Sequence, residues 1–531
     1  MLAFSSLIAS RAVAPARANG GDALFFGERA ARAGVSALPV RIATFDGIRG
    51  VEAAEALDAG ARVLAVPAAN ALQVTPDSPC PRWVDPKVWR SAAWDLRLAL
   101  LLLRVKQQAE RGEGLNEARA AWLDLLPRSF DTPLYWSDAD LEATGYPPLI
   151  EAQTRSDQTD RTGRTAVAKQ RALWSKHREE VAASARAMGE QASGEAEAGV
   201  QPLCAPSGEE LDWALSCAAA AQLGFAGLLG LVSVVGGFLA PQQAVDGVSV
   251  VGVSPVFSDV SDGVSLVFSD VVASRLLARG KRHVLCPHVL CPYLDMLNHA
   301  SSRSGSRLEY DYFGDAFGAS LDPAAGPVPP GAELLISYGD RSNDQLLQYY
   351  GFVEAGNPHD SFLVDQQSFL LALGEADPYP KERLRRLSQA RVPLTDNTAA
   401  VSLTAEGGGT RRSRRGGLLT CGFMLHAYRA IGPRAMQLAR LLFLAEADLA
   451  DDGASPSSPA GEERARRAVG AAAALVWKQR RDSRLEAAGA GFAKGSPTDA
   501  PSRHRGLARA FAAEKERVLE RCVAACGGRC E

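Results

Sequence analysis

The sequence predicts an α+β fold: a domain of short strands broken by a long helical insertion, followed by an all-α C-terminal domain. Three observations carry this expectation. Residues 40–67 alternate apolar and polar positions between glycine-bearing turns, the period of half-buried strands. Residues 87–195 instead repeat their apolar positions at helical spacing, with leucines running through 89–110. From about residue 370 onward the strand signals stop, and stretches of helical pattern alternate with Gly/Ser/Arg-rich linkers. The chain has 531 residues, more than one core accommodates, so a first domain over 39–365 and a helical domain over 366–531 are expected.

In chain order, residues 41–45 form a strand that leads into the turn Asp46-Gly47-Ile48-Arg49-Gly50, and residues 51–54 return from it. Leu57-Asp58-Ala59-Gly60 turns the chain into a second strand that ends at Val66-Pro67. The insertion, about 87–210, opens with a helix over 89–110, and a further helix closes at Leu126-Pro127. Trp89, Trp94, Trp122 and Trp136 are read as core packing. Residues 155–190 mix basic and acidic side chains and read as a solvated helix. In the C-terminal domain, helices are expected over 380–391, 417–450, 462–487 and 504–525, with linkers at 407–417 and 453–461.

Charge and cysteine usage narrow the function classes. Fifty-eight Lys and Arg stand against 61 Asp and Glu, a net charge near −3, so no global basic field favours nucleic acid. Apolar residues at 47% and charged residues at 22% fit an ordinary globular protein, expected to act as a monomer. The nine cysteines are odd in number and widely spaced, which argues against a secreted disulfide framework. Cys522, Cys526 and Cys530 recur at i, i+4 and i+8; no fourth ligand accompanies them, and free thiols on a solvated helix end are expected rather than a metal. Residues 1–20 contain Ser5, Ser6, Ser10, Arg11 and Arg17, with no acidic residue before Asp22. Residues 1–38 accordingly read either as a transit peptide directing the chain to a plastid, or as a disordered start to a cytoplasmic protein.

Residues 214–245 carry no charge, and the 23 residues of 218–240 match a bilayer span in length. Three readings stand: a transmembrane helix, a buried or loosely ordered insert over 218–270, or translated sequence foreign to the folded domain. The last two are favoured. Leu211-Asp212-Trp213 before the run and Ala273-Ser274-Arg275 after it read as two parts of one amphipathic helix. The insert also holds tandem copies: Val-Phe-Ser-Asp-Val recurs at 256–260 and 267–271, Asp-Gly-Val-Ser at 246–249 and 262–265. Just downstream, Val-Leu-Cys-Pro stands at both 284–287 and 289–292.

Two segments carry candidate chemistry. Pro292-x-x-Asp295-x-x-Asn298-His299 offers an Asn-His pair able to direct hydrogen bonds at a small polar ligand. Gly331-x-Glu333-x-x-x-Ser337-Tyr338-Gly339 offers a strand ending in a tyrosine beside a glycine, where a substrate can approach the backbone. A helix with Asn343, Leu346 and Leu347 then ends in Tyr350-Gly351-Phe352. Taken in order after the turn at 48–50, the Val66-Pro67 strand and Ser274-Arg275, this series resembles the SET-domain protein methyltransferases. The likeness is greatest to the group typified by the plastid Rubisco large-subunit lysine methyltransferase. That group has a SET-type clip of short strands split by a helical insertion, and a helical C-terminal substrate-binding domain. Here the likeness is specific over 40–365 and weak beyond.

The resemblance implies a methyltransferase that uses S-adenosylmethionine and acts on lysine in a non-histone protein substrate, with no nucleic acid, membrane or metal. It assigns the cofactor to Ile48, Arg49, Gly50, Arg275, Asn298, His299, Tyr350 and Phe352. Tyr338 is the expected catalytic hydroxyl and, with Arg279 and Asp295, contacts the substrate. Arg275 is suited to the cofactor's carboxylate by its forked donors. A histidine acceptor, or a catalytically silent binding module, are the alternatives that the same architecture allows. The insert and the duplicated segment stand beside Arg275 and the Asn-His motif and, if retained, could displace Arg275.

Overall fold

The computed structural model describes residues 28–45, 48–74, 78–146, 166–192, 205–221, 289–311, 314–365, 422–426, 459–489 and 500–530. The strand-rich part is a set of small curled sheets. Strands β2 (Val40–Phe45) and β3 (Ile48–Ala53) pair antiparallel from Val40↔Ala53 to Phe45↔Ile48, the hairpin expected around the turn at 46–50. The largest sheet has six strands. They are β1 (Ser36–Ala37), β4 (Arg62–Pro67), β7 (Asn298–His299), β8 (Ser306–Asp311), β9 (Ala316–Leu321) and β10 (Leu335–Ile336), in the spatial order β1-β4-β9-β8-β10-β7. Within it β10 runs parallel to β7, pairing Leu335 with Asn298 and Ile336 with His299. The two sequence motifs are thereby adjacent strands.

The fold already includes Glu28, so residues 28–37, expected as part of a detached leader, belong to the first domain. Helix α1 (Glu28–Arg32) buries Ala30, Val35 is buried beyond it, and β1 pairs with β4. Residues 1–27 lie outside the described part.

The insertion is helical. Pro86–Ser91 (α2) starts on Asp85, whose side chain accepts from the Lys87 amide, and Pro86 occupies the first turn where its missing N–H costs nothing. The single helix expected over 89–110 is two: Ala92 and Ala93 are extended, and α3 (Trp94–Glu110) begins afresh with Asp95 in its first turn. A carboxylate there favours the positive end of the helix dipole, a local signal that the leucine periodicity masked. Leu96, Leu98, Leu100 and Leu102 of α3 are 0% exposed. Each contributes about 1.5–3 kcal/mol of burial free energy. Helices α4 (Glu117–Leu123) and α5 (Asp138–Glu142) follow, and Trp89, Trp122 and Trp136 are buried as expected, with Trp94 half-buried. Helix α6 (Ala166–Ala192) is not solvated all round, since Val167, Trp174, His177 and Val181 are buried.

Helix α7 (Gly208–Ala221) packs on α3 and buries Leu211, Ala214, Leu215, Cys217 and Ala218 in the main core. The first residues of the apolar run are therefore a core helix, and residues 222–288 lie outside the described part. Of the duplicated Val-Leu-Cys-Pro, the second copy is built into the fold. Val289–Leu290 (β6) pairs with Leu72–Gln73 (β5), and Cys291 is buried. Among the described residues no helix is long and apolar enough to cross a membrane, and no cluster of His, Cys, Asp or Glu is arranged to hold a metal.

The C-terminal region is helical, with α8 (Pro459–Gly489) and α9 (Ala500–Ala525) packed together. Among its described residues it departs from the all-α expectation at one strand. Gly422–His426 (β12), expected within a helix, pairs antiparallel with β11 (Ser361–Asp365). Backbone pairing with β11 outweighs the weak helical pattern of a five-residue stretch that opens with glycine. The helix expected over 380–391 lies outside the described residues. A second core joins the two regions: Trp136, Tyr146, Leu347, Val353 and Phe362 pack with Val469, Phe511 and Leu519. The thiols of Cys522 in α9 and of Cys526 and Cys530 beyond its end are free, as expected, but not solvated, because Cys522 and Cys526 belong to this core and Cys530 reaches intermediate exposure.

Candidate active site

The site grows from the β7–β10 pair. Beyond Ile336 the chain passes Ser337 and reaches Tyr338, whose backbone N–H donates to His299 Nδ1 at 2.9 Å. The Tyr338 hydroxyl turns back and donates to the Leu297 carbonyl at 2.8 Å, inside the core. Tyr338 is therefore fixed at both ends by the strand that carries Asn298 and His299. Gly339 follows with φ +92°, a conformation closed to most side chains, and carries the chain sharply away from the phenol.

Ser342 caps the next helical turn as a capping box with Gln345, and the helix runs through Tyr350 to end at Gly351. That turn returns two aromatic rings to the histidine. The ring centroids of His299 and Tyr338 are 5.0 Å apart, Tyr338 and Tyr350 4.7 Å, Tyr350 and Phe352 6.0 Å, and Phe352 and His299 6.0 Å. The four rings close on one another, at separations typical of tilted aromatic packing. Tyr338 and Tyr350 are buried.

On the other side, Asn298 holds the β2–β3 hairpin. Its Nδ2 donates to the Arg49 carbonyl at 2.9 Å and to Glu333 Oε1 at 2.8 Å. Gly50 lies in this crowded corner. A Cβ there would stand 2.6 Å from Glu333 Oε1 and 2.7 Å from Asn298 Nδ2. Ile48 is further out, at the hairpin end opposite Phe45.

Tyr338 also borders a mostly apolar cavity, to which Leu297, Ile336 and Leu308 contribute on one side and Cys217 and Ala220, at the end of α7, on the other. Arg49 and Asp295 are its charged groups. Asp295 Oδ2 accepts from Trp122 Nε1 at 2.8 Å, so the carboxylate is anchored to the insertion. Tyr293, at the start of this turn, holds φ +70° and is fully buried, with its hydroxyl donating to the Ala118 carbonyl.

The structure thus brings together Arg49, Gly50, Asp295, Asn298, His299, Tyr338, Tyr350 and Phe352, with Ile48 at the margin. Arg275 and Arg279 lie outside the described residues. Sequence reasoning passed over three participants. Glu354 Oε2 is 3.4 Å from His299 Nε2, and the same carboxylate accepts from the Ser301 amide and hydroxyl at 2.8 and 2.6 Å. Burial would raise the Glu354 pKa, but hydrogen bonds from His299 and Ser301 outweigh it and hold the group below its ordinary value. Ser301 and Glu333 complete the set. Glu333 stood within the strand motif, and Glu354 follows Tyr-Gly-Phe by two residues, but no local pattern marks either as a partner of a distant side chain.

No family model and no curated protein matches this sequence. Solved structures do resemble its chain path. The SET domain of LSMT bound to lysine and AdoHcy is 15% identical, with a TM-score of 0.49 over 96% of this chain and 91% of that one. Rubisco LSMT bound to sinefungin and monomethyllysine is 15% identical, with a TM-score of 0.47 over 96% and 92%. Rubisco LSMT bound to AdoMet is 14% identical, with a TM-score of 0.45 over 95% and 91%. Likenesses this distant assign no residue a role.

Proposed function

We propose that this chain is a SET-domain methyltransferase that transfers a methyl group from S-adenosylmethionine to a lysine side chain of a non-histone protein. One observation carries the reading. The Asn-His motif and the strand-end tyrosine, 39 residues apart, share direct contacts, with the Tyr338 amide on the His299 imidazole and the two rings 5.0 Å apart within an aromatic quartet.

The donor supplies a methyl group already activated on a sulfonium, so the protein's work is alignment, dryness and charge. The residues present fit such a ligand. With no room for a side chain at Gly50, the hairpin backbone lies directly against Asn298 and Glu333, at the strand edges where a nucleoside would rest. Asn298 and His299 provide the polar edge, and Tyr350 and Phe352 the apolar walls. Electron-rich ring faces attract both a sulfonium and a methylammonium.

The acceptor needs a neutral amine, whereas a free lysine has a pKa of about 10.4. Burial beside Tyr338 and the apolar cavity disfavours the ammonium form and lowers that value. Because the Tyr338 hydroxyl proton is directed at Leu297, its oxygen faces an incoming amine as an acceptor and orients the nitrogen lone pair. Asp295, held by Trp122, adds a negative charge at the cavity that favours the cationic product.

Labelled donor, purified protein and a cell extract test the proposal. Label should enter a protein band and appear as methyl-lysine on hydrolysis. Methyl-histidine in its place would overturn the lysine assignment, and intact donor binding without transfer would favour a silent binding module.

A further inference from the structure

Lys515 of α9 is 0% exposed, which is exceptional for a lysine and demands partners. Its Nζ contacts the Asp344 carboxylate, Asp360 Oδ1 at 2.7 Å and the Ser361 carbonyl at 2.7 Å. The rings of Tyr146 and Phe511 lie 5.1 and 4.9 Å from the ammonium. Burial alone would lower its pKa, but Asp344 and Asp360 outweigh that and raise it, so the group is a buried cation.

Its carboxylate partners lead back to the site. Asp360 accepts from the Asn343 amide and side chain, both at 3.0 Å. Asn343 in turn donates to the Glu354 carbonyl at 3.1 Å and accepts from the Glu354 amide at 2.9 Å. Glu354 is the carboxylate beside His299. A second tie runs parallel: the Gly356 amide donates to Glu514 Oε2 at 3.0 Å, from the residue next to Lys515. Adjacent residues of α9 therefore hold the loop that carries Glu354 at Gly356, in its middle, and at Asp360 and Ser361, where it enters β11.

We infer that Lys515 is a positioning residue for the site at His299 and Tyr338, acting through Asp360, Asn343 and Glu354, so that the C-terminal helix sets the geometry of the donor pocket as well as capping the fold. The donor clause rests on the function proposed above; the link to His299 does not.

The test compares two variants of the full chain. Lys515→Met with Asp344→Asn removes one charge of each sign and keeps the cluster's net charge, so it avoids leaving two carboxylates uncompensated. Leu519→Ala, a fully buried position on the same helix, serves as a destabilised control. In the paired variant the Asn343 and Glu354 amides should exchange with solvent at least tenfold faster, the His299 ring-nitrogen NMR signals should move, and affinity for S-adenosylhomocysteine should fall at least fivefold. The control should match the loss in melting temperature but keep wild-type affinity and wild-type His299 signals. Unchanged His299 signals and affinity in the paired variant would overturn the inference, as would equal losses in the control. If the wild-type protein bound no S-adenosylhomocysteine, the functional reading would fail, while exchange and His299 signals would still decide the role of Lys515.

Discussion

Gly50→Ala perturbs the candidate donor corner by one methyl group. Gly50 is buried in β3 and needs no special backbone conformation, so the effect is steric alone. The new Cβ would meet Glu333 Oε1 at 2.6 Å, Asn298 Nδ2 at 2.7 Å and Phe45 Cδ2 at 3.2 Å. Relief requires Asn298 and Glu333 to separate, which breaks the bond between them and strains the bond from Asn298 to the Arg49 carbonyl. A bond to a charged group is worth about 1.5–3 kcal/mol and a neutral one about 1 kcal/mol. Residual overpacking costs about 1–3 kcal/mol. Partial relaxation trades these against one another, so a loss of about 2–4 kcal/mol is expected. Urea unfolding should show it as a lower midpoint at an unchanged slope. Affinity for S-adenosylhomocysteine should fall more than about tenfold, or about 1.4 kcal/mol. Gly114→Ala, where a Cβ meets nothing within 4 Å, is the matched control. A Gly50→Ala protein within about 0.5 kcal/mol of wild type, with donor affinity unchanged, would refute the reasoning, because such differences are ordinary for surface changes.

Tyr338→Phe removes the donor to the Leu297 carbonyl and should cost about 0.5–1.5 kcal/mol in stability, while turnover falls about 10²-fold or more as the acceptor loses its alignment; steady-state kinetics beside a melting curve separates the two effects. Glu354 has a folded pKa below its ordinary value of 4.5. Its contribution is thus present above pH 4.5 and lost as pH falls through the folded value, and Glu354→Gln should flatten that acid limb of the stability profile. Asp295→Asn should keep the Trp122 contact and the fold but weaken acceptor binding, seen as a raised KM with donor affinity unchanged. Deletion of residues 222–270 should leave a folded protein with α7 intact by circular dichroism, as the tandem copies imply; loss of folding would show that the segment belongs to the domain.

The residues that were legible in the sequence are those that stand in short ordered motifs, although their contacts are distant in the chain. Ile48, Gly50, Asn298, His299 and Tyr338 sit in short ordered motifs, and the structure places those motifs together. The hairpin at 40–53 and helix α9 follow from period and turn chemistry. The break at Ala92–Ala93 was hidden because leucines continue in helical register on both sides. Strand β12 was hidden because its partner β11 lies 57 residues earlier, and strand pairing is decided by tertiary contacts. Lys515 reads as one charge among many on an amphipathic helix; only the fold shows that it points inward, at Asp344 and Asp360. Glu354 was invisible for the same reason.

Co-crystallisation with S-adenosylhomocysteine tests the central claim most directly. The adenosyl group is expected along the Gly50 corner beside Asn298 and His299, with the sulfur directed at the Tyr338 phenol. A ligand seated elsewhere on the chain, or none at saturating concentration, would contradict the claim.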